Sequence, residues 1–274
     1  MFTLTGFADE ISPDPAEQAE AFRDMGIRYL DFRGAWKKNV LELTDAELDE
    51  YRRILSDYGI GVSCIGSPVG KTGIDEDPAA HEKQFNRAVE VALRFGVKYI
   101  RVFSFYLKPE QRNESAVKER IFKRIRSMGE TAAANKLVLV HENEADIYGE
   151  GSGACRELLD ALASPSFRAV FDPCNFIMAN EAPFTECFPR IAPYIEYLHI
   201  KDALRETKVI VKAGEGDGEI REILNSLRNR SLFVSLEPHL ALAGRNAGFS
   251  GLDLFRGAHR ALVTILDELK IEYC

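Results

Sequence analysis

The sequence predicts a single (β/α)8 TIM barrel running over residues 1–274. Three observations lead there. Short β-rich runs alternate with helical patterns eight times. The length, 274 residues, suits an eight-fold β/α barrel, which typically takes about 250. Four successive strand-like runs in the second half each end in a residue fit to bind a divalent cation: Leu137–Val140 leads to Glu142, Phe167–Val170 to Asp172, Ile195–Leu198 to His199, and Leu232–Ser235 to Glu237.

The strand-like runs lie at about 2–7, 27–32, 60–65, 97–103, 136–141, 167–171, 195–200 and 232–236. Helical periodicity fills the intervals, most clearly over Asp45–Tyr58, Ala79–Phe95, Glu114–Asn135 and Gly251–Leu269. Thr44, three residues before Glu47, predicts a capping box at the start of the second helix. Asp24-Met25-Gly26, Tyr58-Gly59 and Phe95-Gly96 predict helix ends closed by glycine, each leading straight into an apolar strand. No Gly-x-Gly-x-x-Gly follows the first strand, which counts against an open doubly wound sheet, and nothing in the chain reads as a linker.

A hydrophobic share of 46% is enough for a large core. The formal charge of −8 repels phosphate backbones, so nucleic acid and anionic membrane are poor partners. Met1–Asp9 has neither a basic region nor a long apolar run, and no segment is long and apolar enough to span a bilayer. Five cysteines, odd in number and without Cys-x-x-Cys spacing, read as reduced thiols of a cytoplasmic protein.

The four strand-end residues are separated by 30, 27 and 38 residues, each gap long enough for one helix and one return strand. Acidic residues often end strands as unrelated caps, and for one position that is the better reading. For four in successive units it is not. Parity agrees, because His199 shares a face with Tyr197 and Lys201, and Glu142 shares one with Val138, Val140 and Glu144, leaving His141 toward the helical layer. Bare carboxylates gathered at one end of a barrel would repel one another, and a divalent cation offsets that repulsion. Three carboxylates and one imidazole suit a single Mn²⁺ or Mg²⁺, with Zn²⁺ or Co²⁺ also compatible.

Around these lie residues fit to hold a substrate. Lys201 falls on the inward face two past His199, and His239 stands two past Glu237. Asn175 and Glu144 sit near strand ends, where sugar-hydroxyl contacts and loop capping are about equally natural roles. Arg33 and Trp36 follow the second strand, where a sugar wall competes with plain packing of a lone indole. Lys71 lies in a loop between Gly70 and Gly73, and Cys174 is read as structural. Gly214-Glu215-Gly216-Asp217-Gly218 precedes a helix as a phosphate cradle would, but its two acidic side chains argue for a loop rimming the site.

His141-Glu142-Asn143-Glu144, Phe171-Asp172-Pro173-Cys174-Asn175, His199-Ile200-Lys201-Asp202 and Leu236-Glu237-Pro238-His239 together resemble the sugar phosphate isomerase/epimerase family of the xylose-isomerase-like barrel superfamily. The likeness extends to Asp31-Phe32-Arg33 with Trp36 and to Gly214-Glu215-Gly216-Asp217. It implies Glu142, Asp172, His199 and Glu237 as metal ligands, and Glu142 and Glu237 as a proton-transfer pair. Asn175 stands where many members carry a histidine three residues after the aspartate, a departure from the ketose epimerases that have it.

The leading expectation is a metal-dependent isomerase or epimerase of a small sugar or related polyhydroxy carbonyl compound, acting through an enediolate. A lyase of keto-inositol dehydratase type shares that intermediate and is the alternative. A non-catalytic sugar-binding protein is a third reading, against which the intact Glu142–Glu237 pair speaks. Apurinic-site endonucleases share the superfamily but bind three zinc ions through many histidines. This chain has only His81, His141, His199, His239 and His259. A homo-oligomer is compatible with all of these.

Overall fold

The alternation read in the sequence folds into eight parallel strands. The structure, a computed structural model, describes residues 1–240 and 250–274. The strands are β1 (Phe2–Gly6), β2 (Tyr29–Phe32), β3 (Gly61–Ile65), β4 (Tyr99–Val102), β5 (Val138–Glu142), β6 (Phe167–Phe171), β7 (Ile195–Ile200) and β8 (Leu232–Leu236). From β2 to β8 each strand is hydrogen-bonded to its neighbour in sequence, and β1 is paired with β8 from Phe2↔Leu232 to Gly6↔Leu236. No ladder joins β1 to β2 among the described residues, so the ring is nearly closed. On the free edge of β1 the chain's own tail takes the backbone groups. Phe2 N donates to Glu272 O (3.0 Å), Cys274 N to Phe2 O (3.0 Å) and Leu4 N to Cys274 O (2.8 Å).

Helices α1 (Pro15–Asp24), α2 (Asp45–Tyr58), α3 (Pro78–Phe95), α4 (Ser115–Ala134), α5 (Ser152–Leu162), α6 (Pro173–Met178), α7 (Phe188–Ile191), α8 (Ile220–Leu227) and α9 (Gly251–Leu269) surround the strands. Their starts follow local chemistry. Asp14 caps α1 by accepting from Ala16 N and Glu17 N, and Asp77 caps α3 through Ala79 N, each with proline next in line. The Thr44–Glu47 capping box forms as the sequence requires. Gly59 and Gly96 close α2 and α3 in the left-handed conformation, with φ of 70° and 65°.

Strand alternation sends the strands' apolar side chains to two sides of the barrel wall. The outward side chains join the helices in one extended cluster that includes Phe22, Phe32, Tyr51, Ile100, Phe171 and Phe255. A small second cluster, Cys64, Val138, Val140, Val170 and Tyr197, fills the barrel. Above it the inward positions turn polar. Asp31 on β2 is buried and accepts from Ser63 Oγ (2.7 Å), Tyr197 OH and Ser235 Oγ, so three other strands converge on one carboxylate. Burial raises that carboxyl, and the nearby His199 partly counters it.

Candidate functional site

Each of the four strand-end residues continues the inward parity of its strand by one step or more. Glu142 is the last residue of β5 and His199 lies inside β7, while Asp172 and Glu237 follow β6 and β8 directly. Asp172 is tied in place twice. Its backbone N donates to Asn143 Oδ1 and its carbonyl accepts from Asn143 Nδ2, both at 3.0 Å, extending the β5–β6 pairing by one residue. Its carboxylate also caps α6 by accepting from Asn175 N at 3.0 Å.

One ligand atom from each of Glu142, Asp172, His199 and Glu237 lies within 4.8 Å of the others. All four residues are at most 3% exposed, too little for water to screen three carboxylates. His199 Nδ1 is 3.2 Å from both Glu142 Oε1 and Glu237 Oε2. Asp172 Oδ2 and Glu237 Oε2 are buried and accept no hydrogen bond. Buried carboxylate oxygens left without a hydrogen bond, held only by neighbouring cations and set beside an imidazole nitrogen, form a donor set that can hold a divalent cation.

The cations around the cluster account for its charge state. Burial would raise the Glu142 carboxyl, but His199 and Arg101 outweigh it and hold it down at about 2. Burial acts on Glu237 in the same direction, and Lys201 and His199 bring it well below the usual carboxylate range. Burial works against a charged His199, yet Glu142 and Glu237 push it up to about 10. In the metal-free arrangement the imidazole is therefore protonated at neutral pH, with Nδ1 hydrogen-bonded to Glu142 Oε1 and in ion-pair range of Glu237 Oε2.

The structure brings several of the sequence-derived contacts to this cluster. Lys201 Nζ lies 2.9 Å from Asp172 Oδ2 and 3.7 Å from Glu237 Oε2. Arg33 donates from Nη1 to Glu237 Oε1 (3.0 Å) and from Nε to Asp9 Oδ2 (2.8 Å), lying over the Phe7 ring. Asn175 Nδ2 donates to Asn143 O (2.8 Å) and reaches Glu142 Oε1 at 3.4 Å. His239 Nε2 is 3.5 Å from Glu237 Oε1 and 3.4 Å from Glu10 Oε1. Glu144 pairs with Lys71 at 2.7 Å, joining the loops after β5 and β3. Lys71 is placed by Gly70, whose φ of 89° and close approach to Phe103 O, 2.1 Å from where a Cβ would sit, admit no other residue.

Other residues lie elsewhere. The Trp36 ring packs edge-on against Tyr51 (6.1 Å), and its backbone N donates to Pro13 O, so its contacts are those of packing. His141 faces outward against Phe167, its ring centre 6.2 Å away. Burial pushes the Cys174 thiol up to about 12, so it stays protonated. In the glycine-rich segment, Asp202 Oδ2 accepts from Gly214 N (2.9 Å) and Gly216 N (3.2 Å), and Oδ1 from Gly218 N (2.8 Å). The cradle does hold an anion, and the anion is a side chain of the protein itself.

Sequence reasoning passed over Arg101, Asp9, Glu10 and the role of Asp31. Arg101 lies inside β4, 5% exposed, with Nη1 3.1 Å from Glu142 Oε2 and 3.4 Å from Glu237 Oε1. A signal was there: Arg101 is the lone charge in Tyr-Ile-Arg-Val-Phe, at an inward position. Glu10 is fully buried and accepts from His239 N (3.0 Å) and Ser250 Oγ (2.6 Å), and burial, partly countered by His239, raises it to about 7.

A sequence profile described as xylose isomerase-like TIM barrel matches residues 19–250. The chain belongs to that family. No curated protein sequence matches it. Among solved structures, a D-tagatose 3-epimerase-like protein superposes with a TM-score of 0.79 at 13% identity, over 98% of both chains. The probable 3-DHS dehydratase AsbF of Bacillus anthracis superposes at 0.75 and 16%, over 96% of this chain and 98% of that one. A xylose isomerase-like TIM barrel protein of Mycobacterium smegmatis in complex with magnesium gives 0.71 and 17%, over 98% and 97%. At these identities the likeness is one of fold.

Proposed function

We propose that this chain is a divalent-metal-dependent isomerase or epimerase of a small polyhydroxy carbonyl compound, with the whole of residues 1–274 acting as one barrel domain. The observation that carries the proposal is the group of four buried ligand atoms within 4.8 Å at the carboxyl ends of β5 to β8, the end where barrels of this kind keep their chemistry. Glu142, Asp172, His199 and Glu237 would hold the ion, and Mn²⁺ or Mg²⁺ fits a donor set of three carboxylates and one imidazole. When bound, such an ion makes the proton beside a chelated carbonyl more acidic and stabilises the charge its loss leaves.

The protein supplies the rest. Glu142 and Glu237 come from strands three places apart in the ring, so they reach the substrate carbon from different directions. One takes the proton and the other returns it. Arg33 and Arg101 hold the glutamates in orientation, and Lys201, an ammonium among the inward oxygens, is placed to steady a substrate oxygen. Burial keeps water from competing for the proton. The epimerase-like neighbour supports the reading by its fold. The lyase alternative, expulsion of a β-hydroxyl after the same proton abstraction, is favoured by the dehydratase-like neighbour on the same ground.

Metal content and proton traffic test the proposal. Protein purified without chelator should carry about one divalent ion per chain, and Asp172→Ala and His199→Ala should each lose it. Unchanged metal in both variants would sink the ligand assignment. Turnover in D₂O should place deuterium beside the substrate carbonyl. Glu142→Gln and Glu237→Gln, assayed at saturating Mn²⁺ with occupancy measured, should each slow turnover by roughly a hundredfold or more, the usual contribution of a positioned acid or base. Full turnover in both loaded variants would rule out the glutamate pair, and a product lacking one hydroxyl would move the assignment to the lyase.

A further inference from the structure

The three carboxylates of the cluster are each divided into two unlike oxygens. Glu142 Oε2 accepts from Arg101 Nη1 at 3.1 Å. Glu237 Oε1 accepts from the same nitrogen at 3.4 Å and from Arg33 Nη1 at 3.0 Å. Asp172 Oδ1 accepts from Asn175 N at 3.0 Å. The second oxygen of each points inward: Glu142 Oε1 and Glu237 Oε2 each lie 3.2 Å from His199 Nδ1, and Asp172 Oδ2 meets only the Lys201 ammonium, at 2.9 Å. Two of these three inward oxygens are buried and accept no hydrogen bond.

We infer that Arg101 is a positioning residue that restricts both glutamates to one ligand oxygen apiece, and that it thereby sets the ion selectivity of the centre. The inference rests on the metal-centre reading above. A glutamate that turned to offer both oxygens would pull its outer oxygen away from Arg101, straining or losing that bond. Turning Glu237 would strain or break its bond to Arg33 as well. Arg101 is poorly placed to follow. Its guanidinium lies over Phe7 (4.8 Å) and Phe103 (5.1 Å), and Nη2 donates to Gly66 O at 3.2 Å. It also keeps its charge at any working pH.

Ca²⁺ takes about six to eight oxygens and often uses carboxylates through both, whereas Mg²⁺ insists on a compact octahedron of about six. Four single donor atoms with solvent or substrate completing the shell suit the smaller ions, Mn²⁺ and Mg²⁺. Arg101 thus disfavours Ca²⁺ by withholding the two oxygens that would complete its larger shell.

Chelator-treated protein is titrated calorimetrically with Mn²⁺ and separately with Ca²⁺, for the wild type, Arg101→Met, Arg101→Lys and Asp172→Ala, after thermal melts have shown which variants fold. Loss of the Arg101 charge strengthens binding of both ions alike, so the Mn²⁺/Ca²⁺ ratio is the readout that charge alone does not move. The wild type should prefer Mn²⁺. Arg101→Met, similar in length and able to keep the packing between the rings, should narrow that preference by about tenfold or more, since Ca²⁺ gains the freed oxygens. Arg101→Lys, one cation without the planar fork, should fall between, and it carries the test if the methionine variant does not fold. A wild-type ratio in a folded, Mn²⁺-binding Arg101 variant overturns the inference and leaves the metal centre standing. No Mn²⁺ binding by the wild type, or undiminished binding by Asp172→Ala, sinks the metal-centre reading itself and this inference with it.

Discussion

Lys201 sits where a cation is wanted, 2.9 Å from Asp172 Oδ2 and beside Glu237 Oε2. A divalent ion on the same oxygens would feel its charge. Lys201→Met should therefore tighten Mn²⁺ binding by about tenfold, a small part of the bare Coulomb repulsion at such range, while slowing turnover if Lys201 steadies a substrate oxygen. Weaker Mn²⁺ binding in a folded Lys201→Met would refute this. The proton on His199 makes a second prediction. Its folded value of about 10 is raised, so its contribution to the stability of the metal-free protein is fully present below about 6.5 and is lost as pH rises through 10. A metal needs the neutral ring, so binding should release one proton and strengthen by up to about tenfold per pH unit across the range below 10. Calorimetry in buffers of different ionisation enthalpy reads that proton directly, and an affinity flat from pH 6 to 9 would contradict it. At this scale the sequence showed what strand parity can show: a series of strand-end donors, with Lys201 facing the same way as His199. Arg101 escaped because its meaning depends on ladder register, Tyr99↔Val138 through Val102↔His141, which sets it beside β5. Glu10 escaped because it lies in a short turn after β1, where no periodicity tells which way a side chain faces.

Among the elements, the ribbon Asp202–Ala203 with Ile210–Val211 and the glycine-rich loop are fastened by the Asp202 carboxylate, which also accepts from Ala203 N at 2.8 Å. Side-chain atoms at Gly216 or Gly218 would crowd it, since a Cβ there would come within 2.4 or 2.6 Å of Oδ1. Removing the carboxylate strands several backbone N–H groups at once. Asp202→Ala should cost about 3 kcal/mol, the upper range for hydrogen bonds to a charged group, as measured by urea unfolding. A loss under about 0.5 kcal/mol, typical of ordinary surface changes, would show that water replaces the carboxylate without penalty. The strands and main helices were legible because their apolar periods and caps agree. Helices α2 and α9 keep the expected bounds, and α3 and α4 differ only at their ends. The expected strands began early at 27, 97 and 136, where Ile27, Val97 and Leu137 are buried and apolar but lie ahead of the ladder. The two-residue ribbons and the turns over 183–194 were not legible, since elements so short carry no period and are held by tertiary contacts.

For the whole molecule, a barrel whose carboxyl end gathers acidic groups and whose formal charge is −8 should leave abasic-site DNA intact. Metal-dependent incision by rigorously purified protein that tracks the protein through an extra column would reverse that expectation. No helix among the described residues is long and apolar enough to cross a membrane. The topology itself was readable from eight repeats of one pattern. The near-closure was not, because nothing local distinguishes a strand that pairs on both sides from one that pairs on one.

That open seam makes the last three residues more than a tail. Glu272–Cys274 take up hydrogen-bonding groups of β1 that would otherwise form a bare sheet edge, the kind of surface on which a second chain can grow a strand. Ending the chain at Ile271 removes none of the four clustered ligand residues, yet it should promote self-association through that edge. The change should be visible as a concentration-dependent rise in light scattering at temperatures where the full chain stays clear.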